Sequence, residues 1–541
     1  IEVEPPPPGL QTEFETLFSP EALHFLADLC SRFQPDVDKV LKTRILRKVQ
    51  LDLTEELPDF LEDTAHIRND PSWRVSPVPV RLQCRHVDIG DLSPCDMQRL
   101  TQGLKSSAQG IQVDFDDGNC PTYYNQIKGI YNVYKVVHNQ FPVQCVISLP
   151  FLQIDAPAIS QAPILMLRPR AWNMVEHNLL VNGREVPGPL FDFGLLMFHN
   201  AKLLLENQSG PFFYLSKVES YLEARLWNQI FLWTEDRLGL PVGSIKATVL
   251  IECVLATFEM DEILYELREH SAGLNCGIWD YSASFVNKFG HRAEFLLPDR
   301  SKYVNMEKRF LRSYMDLLVQ TCHRRGALAT GGMAALLLPT NTHSAEYTTV
   351  LNTVTRQLKL LEIKAGVDGF MVYDMNLIEP MQKLFQLHCE GQNQLQELRN
   401  DVNITPEDLL TMPAGGVTLY GLRHNIAVGV LFIEAWLSGR GHFFYKGQVE
   451  DSATAEISRS QVWQWIRHQV KLEDDGKTMV TRGFVRNLTQ SMMFDLRAEM
   501  CCQTESKDEE RLITAVAMFL ELVQKSEFPE FLTTHLYLDH T

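Results

Sequence analysis

No stretch of this sequence approaches the roughly 20 consecutive apolar residues that a membrane helix requires. Its longest apolar candidates, such as Ile164 to Leu167 and Val249 to Ile251, are strand-sized, so no membrane role is expected. CxxC pairs are also missing. The 11 cysteines form an odd set in which only Cys501 and Cys502 are adjacent, which indicates neither a disulfide framework nor a zinc ribbon and fits a reducing compartment. Positive charge is scarce: 50 Lys and Arg against 68 Asp and Glu leave a formal charge of -18. That balance argues against nucleic acid as a partner, because a surface that tracks phosphates needs an excess of Lys and Arg. An anionic ligand would need a local basic pocket. The sequons at Asn207, Asn403 and Asn487 are short patterns that arise by chance in a chain this long. The end, HLYLDHT, carries no SKL-type signal, and the chain begins at Ile1, as after removal of a leader or in a sequence given without one.

What is present suffices for a large core. At 541 residues and 45% hydrophobic content, two to four domains or one barrel with appendages are expected. Residues 1–79 read as an N-terminal arm and helical clasp. The four prolines Pro5 to Pro8 favour an extended, poorly packed arm, and a helix starts with Ser19 as N-cap and Pro20 at the first position, burying Leu23, Leu26, Leu29 and Cys30 on one face. Asn69 to Pro79 is turn-rich and closes that unit. From residue 80 to about 400, short apolar runs alternate with amphipathic segments, the pattern of a parallel α/β architecture. Residues 401–541 read as mostly helical, with helices at Ile457 to Val470 and Arg511 to Gln524.

Polar residues end the apolar runs. IQVDF is followed by Asp116 and Asp117, ILML by Arg168, ATVLI by Glu252 and VDGFMVY by Asp374. In a (β/α)8 barrel the C-terminal strand ends converge on one face, so such groups meet in space although distant in sequence. Glu252 and Asp280, 28 residues apart (280 less 252), are presented after two separate elements within Ile245 to Tyr281 and read as a divalent metal pair. The plainer alternative is that Glu252 caps the next helix and Asp280 makes a turn.

Several long motifs then occur in order: DFDDGNCPTYYN (114–125), LRPRAW (167–172), LFDFG (190–194), KVESYLEARLWN (217–228), HSAGLNCGIWDY (270–281), CHRRGALATGGMAA (322–335) and EDSATAEISRSQ (450–461). Together they resemble malate synthase, over most of the chain and closest to the shorter A-type enzymes. The resemblance implies an α/β fold: a (β/α)8 TIM barrel with an N-terminal helical clasp and a C-terminal helical plug. It implies a Mg2+-dependent condensation of acetyl-CoA with glyoxylate and hydrolysis of the thioester to malate and CoA. Glu252 and Asp280 match the family's magnesium ligands, Arg168 its catalytic arginine and Asp451 its catalytic base, while Asp116 and Asp117 would hold the metal's waters. The chemistry asks for the same types: hard oxygen ligands for Mg2+, a carboxylate near the thioester methyl, and a permanent cation for the enolate oxygen. Backbone N–H groups around Trp279 and Asp280 would take the glyoxylate carboxylate if they open a helix. For Asp451 the ordinary alternative is a helix N-terminal acid.

The sequence departs from the family at Gly118 for a serine, Ala171 and Asn173 in RPRAWN, Cys253 to Leu255, Ile278, and Gly366 to Met375. It departs also in FFYKGQVED, which leads through Val449 to the base. Trp279, Gly118, Asp374, Met375 and Val449 are therefore expected on the substrate and CoA side, with Asp374 repelling an anionic cofactor unless it is paired. Two readings follow: a malate synthase or a derivative using another acyl-CoA or 2-oxo acid, and a barrel retained for binding or structure with little or no catalysis. Small-molecule partners are expected, and a homo-oligomer is compatible with either reading.

Overall fold

The computed structural model describes residues 1–139, 156–500 and 506–540; the Cys501–Cys502 pair lies outside them. Eight parallel strands close a barrel: β1 (Val87–Leu92), β2 (Gly110–Asp114), β3 (Ile164–Arg168), β4 (Phe212–Leu215), β5 (Lys246–Ile251), β6 (Ser271–Cys276), β7 (Ala329–Ala334) and β8 (Gly369–Val372), with β8 pairing back onto β1. Runs such as KATVLI and ILMLR are apolar along their whole length because both faces of a barrel strand are covered, the inner by other strands and the outer by helices. The expected (β/α)8 fold is present, although 367–373 contributes a strand only over Gly369–Val372. At its floor Arg85, fully buried, donates to Thr248 Oγ1 (2.9 Å) and Tyr214 Oη (2.7 Å) and pairs with Asp88, so the interior is packed rather than open.

Helix α1 (Pro20–Leu53) starts as its sequence requires: Ser19 Oγ accepts the Ala22 N–H (3.2 Å) and Pro20 follows. Leu26, Leu29 and Cys30 are buried on its inner face, while Leu23 is only partly covered. The arm before it is better packed than four prolines suggest. Glu2–Val3 pairs antiparallel with Leu179 and Leu180, and the Tyr123 hydroxyl donates to the Glu4 carbonyl, so the chain is anchored just before the prolines, and Leu10 just after them is buried.

Beyond the barrel, α5 (Leu419–Leu437) and α6 (Ser452–Arg467), named after α2 (Gly188–Glu206), α3 (Tyr221–Leu238) and α4 (Ile278–Phe289), pack on one another and across the barrel mouth. Helix α6 runs over Ser452–Arg467 rather than the expected 457–470, and Asp451 caps its start. The expected Arg511 to Gln524 helix runs from Ser506 to Gln524. A short hairpin, Phe443–Tyr445 with Gln448–Glu450, hands the chain to Asp451. No helix among the described residues is long and apolar enough to cross a membrane, and the eight described cysteines are free.

Candidate active site

The site forms at the C-terminal strand ends. Asp91 comes from β1; Asp114, Asp116 and Asp117 from the end of β2; Arg168 from β3; Lys217 from just after β4; Glu252 from just after β5; and Asp280 from the first turn of α4, which follows β6. Asp451 arrives from above. Together with Ile278, Trp279, Met333, Met371 and Val449, most of these line a cavity of about 100 Å³.

Arg168 is locked by a fork. Its Nε donates to Asp114 Oδ1 (2.7 Å) and its Nη2 to Asp114 Oδ2 (2.5 Å), with Asp117 at 3.3 Å and Asp91 at 3.5 Å. Such a bidentate pair fixes orientation as well as charge. Lys217 has left-handed backbone (φ 52°), which lets its N–H donate to Glu252 Oε1 (2.8 Å) while its Nζ donates to Asp116 Oδ2 and Asp117 Oδ1, both at 2.8 Å. Burial disfavours charge on Lys217, but Asp116 and Asp117 outweigh it and hold the ammonium protonated.

Asp117, Glu252 and Asp280 bring one carboxylate oxygen each to within 4.8 Å of the others, all three side chains being buried. Burial raises the Glu252 and Asp280 carboxyls above their ordinary range, with Lys217 only partly offsetting it. Burial also pushes at Asp117, but Lys217 and Arg168 together overcome it and hold that carboxyl well below the usual range. Three converging hard oxygens with too few cations around them fit a divalent ion of the Mg2+ type. The family resemblance implies that Asp117 holds the metal's waters; its distance to Glu252 and Asp280 allows direct ligation.

Two features hold this trio in place. Tyr314 donates from its hydroxyl to the Ile251 carbonyl and accepts the Gly277 N–H (2.9 Å), tying the turn before Asp280 to the strand end before Glu252. Gly277 leaves room for Glu252: a Cβ there would stand 2.9 Å from Glu252 Oε2 and 3.0 Å from its Cβ. Gly277→Ala is expected to weaken Mg2+ binding by about tenfold or more with little change in folded content, as titration calorimetry and circular dichroism would show.

Asp451 is both an N-cap and a lining residue, so the two readings of it are compatible. Its Oδ1 accepts the N–H groups of Ala453 (2.9 Å) and Thr454 (3.2 Å), and its own N–H donates to Thr454 Oγ1 (3.0 Å). The cap occupies one oxygen and fixes the rotamer, leaving the other to the cavity. Burial and the neighbouring Asp91 raise the Asp451 carboxyl well above its ordinary range. Burial likewise raises Asp91, to about 7. The two carboxyls touch.

The remaining expectations divide. Trp279 and Asp280 lie in the first turn of α4, where backbone N–H groups are free for an anion, and Arg300 stacks 5.1 Å over the Trp279 ring. Gly118 packs against Asp91: a Cβ at 118 would approach the Asp91 carbonyl to 3.1 Å and Asp114 Oδ2 to 3.0 Å, so a serine would crowd both. Val449 lines the cavity. Asp374 and Met375 do not. Asp374 accepts N–H groups from Leu338 (2.7 Å) and Asn376 (2.9 Å) and caps a short 3-10 turn, so its charge is satisfied locally, and Met375 packs against the core. Asp91, Asp114 and Lys217 were not singled out from the sequence. Lys217 stands in the quoted KVES motif, but its direction depends on a left-handed turn that residue type does not reveal.

Comparison with known proteins finds relatives over nearly the whole chain. Residues 10–66 match the malate synthase N-terminal domain, 164–412 the malate synthase TIM barrel domain and 416–539 the malate synthase C-terminal domain. The chain is 41% identical over 529 residues to malate synthase of Myxococcus xanthus, covering 97% of this chain and 94% of that one. It is 38% identical over 537 residues to malate synthase of Dictyostelium discoideum, with the same shares covered. To malate synthase A of Escherichia coli it is 37% identical over 519 residues, covering 96% and 94%. The chain belongs to the malate synthase family.

Proposed function

We propose that the chain catalyses the malate synthase reaction, condensing acetyl-CoA with glyoxylate and hydrolysing the thioester to malate and CoA. The observation that carries this reading is the meeting of Asp451, Arg168, Glu252 and Asp280 around one cavity from four separate parts of the chain. Asp117, Glu252 and Asp280 would hold Mg2+, which when bound supplies Lewis-acid polarisation of the aldehyde. The first-turn N–H groups of α4 hold the glyoxylate carboxylate. Asp451, through the oxygen its cap leaves free, takes a proton from the thioester methyl. Arg168, fixed by Asp114 and unable to deprotonate, carries the charge that develops on the acyl oxygen. Lys217 bridges Asp116 and Asp117 and limits the repulsion among the acids. We assign 1–79 to the clasp, 80–400 to the barrel and 401–541 to the plug that brings in Asp451.

The test is thiol release from acetyl-CoA. Release should require both glyoxylate and Mg2+ and should match malate formed one for one. Thiol release that is independent of glyoxylate, or none above the protein-free rate, would overturn the proposal.

A further inference from the structure

The cavity has a polar corner for which an acetyl unit gives no use. Asp91 is 4% exposed and holds left-handed backbone (φ 51°), a conformation disfavoured for any residue with a side chain. The β1–β2 register slips between Ile89 and Leu92, and this irregularity turns the Asp91 carboxyl into the barrel mouth. Its Oδ1 lies 3.5 Å from Arg168 Nη2, while its Oδ2 is buried with no fixed donor, the Asp451 carboxyl that Asp91 touches offering one only when protonated. Beside it on β2, Gln112 is 1% exposed. Gln112 Oε1 accepts the Asp91 N–H (3.3 Å), and its Nε2 is buried with no acceptor. Both residues line the cavity that Asp451 and Arg168 share. An unpartnered buried polar group is costly, so a polar guest would complete the corner. Asp451 cannot supply the missing proton while it acts as base, because it is then ionised.

One acceptor and one donor side by side complement a hydroxyl. We propose that Asp91 and Gln112 form a hydroxyl subsite, and that the chain accepts a 2-hydroxyacyl thioester, hydroxyacetyl-CoA, in the acyl position. This rests on the condensation reading above. Arg168 holds the acyl oxygen and Asp451 faces the α-carbon, so a substituent on that carbon is the part of the substrate that reaches Asp91. The glyoxylate end lies with Glu252 and Asp280, to which Asp91 makes no bond. In the reaction Asp451 removes one α-proton, the α-carbon bonds to the glyoxylate aldehyde carbon, and that oxygen takes a proton. Water then cleaves the C–S bond, giving 2,3-dihydroxysuccinate, free CoA and one net proton, with no oxidant or reductant.

The test compares hydroxyacetyl-CoA with acetyl-CoA on the full chain. Thiol release is measured with glyoxylate and Mg2+, and equilibrium binding of each thioester by calorimetry without glyoxylate. Asp91→Gly suits the left-handed backbone and Gln112→Met keeps side-chain size, so both variants should fold. The expected result is 2,3-dihydroxysuccinate from hydroxyacetyl-CoA, with the preference for it over acetyl-CoA falling at least tenfold in both variants, in kcat/KM and in binding alike. Turnover of acetyl-CoA with none of hydroxyacetyl-CoA, or a preference that neither variant moves, would overturn the subsite and leave the corner to water only. If acetyl-CoA itself releases no thiol, the condensation reading fails while calorimetry still decides the subsite: a preference lost in Asp91→Gly upholds it, and equal binding overturns it.

Discussion

Asp451→Asn should lower kcat by about 10²- to 10⁴-fold, the usual contribution of a positioned base, while glyoxylate binding and the capped start of α6 persist. Asparagine is itself a good N-cap, so Oδ1 still accepts the Ala453 and Thr454 N–H groups, and only the capacity to take a proton is lost. Turnover undiminished by this change would remove Asp451 from its role. The pH dependence follows from the same surroundings. Burial raises both Asp451 and Asp91, and Asp91 raises Asp451 further, so the base is held above the ordinary carboxylate range. A base works only when ionised; kcat/KM should therefore rise with pH along an acidic limb lying above that range. In Asp91→Gly the limb should move to lower pH, because the like-charged neighbour is gone. A limb that stays in place would show that Asp91 does not couple to the base.

Glu252→Gln should abolish stabilisation by Mg2+. Ligand that binds only the folded state stabilises it by about 2.7 kcal/mol at a hundred times its Kd, so the thermal midpoint of the unaltered chain should climb with added Mg2+. Glutamine keeps the acceptor for the Lys217 N–H but removes the charge that the cation needs, so the variant's midpoint should be flat across the same titration. In its absence the variant should be no less stable than the parent, because burial penalises the ionised Glu252 carboxyl.

The barrel was legible because its strands are buried on both faces and so read as unbroken apolar runs, each ended by a polar residue where the chain reaches the mouth. That logic found Arg168, Glu252 and the acids after β2, the loop after the next element offered Asp280 as the metal partner of Glu252, and the long motifs supplied Asp451 with its role. It missed what depends on backbone twist. Asp91 sits inside a strand, where alternation predicts nothing about a carboxyl turned by a left-handed residue, and Lys217 reaches the acids through a similar turn. Asp114 was passed over as strand interior although it is the closest partner of Arg168. Asp374 shows the converse. The sequence puts this strand-end acid on the CoA side, whereas in the structure the Leu338 and Asn376 N–H groups hold it locally, outside the cavity lining. The four prolines read as loose, yet pairing of Glu2–Val3 with Leu179 and Leu180 depends on a distant strand and leaves no local signal.

On the proposed reading, the acid-rich barrel mouth is a divalent-metal centre on which the 2-oxo acid is assembled. Titration calorimetry tests it most directly. Mg2+ should bind at one site per chain, glyoxylate should bind tightly only after Mg2+ is present, and Glu252→Gln should remove both heats. Glyoxylate binding of equal strength with and without Mg2+, or Mg2+ binding unaffected by Glu252→Gln, would contradict it.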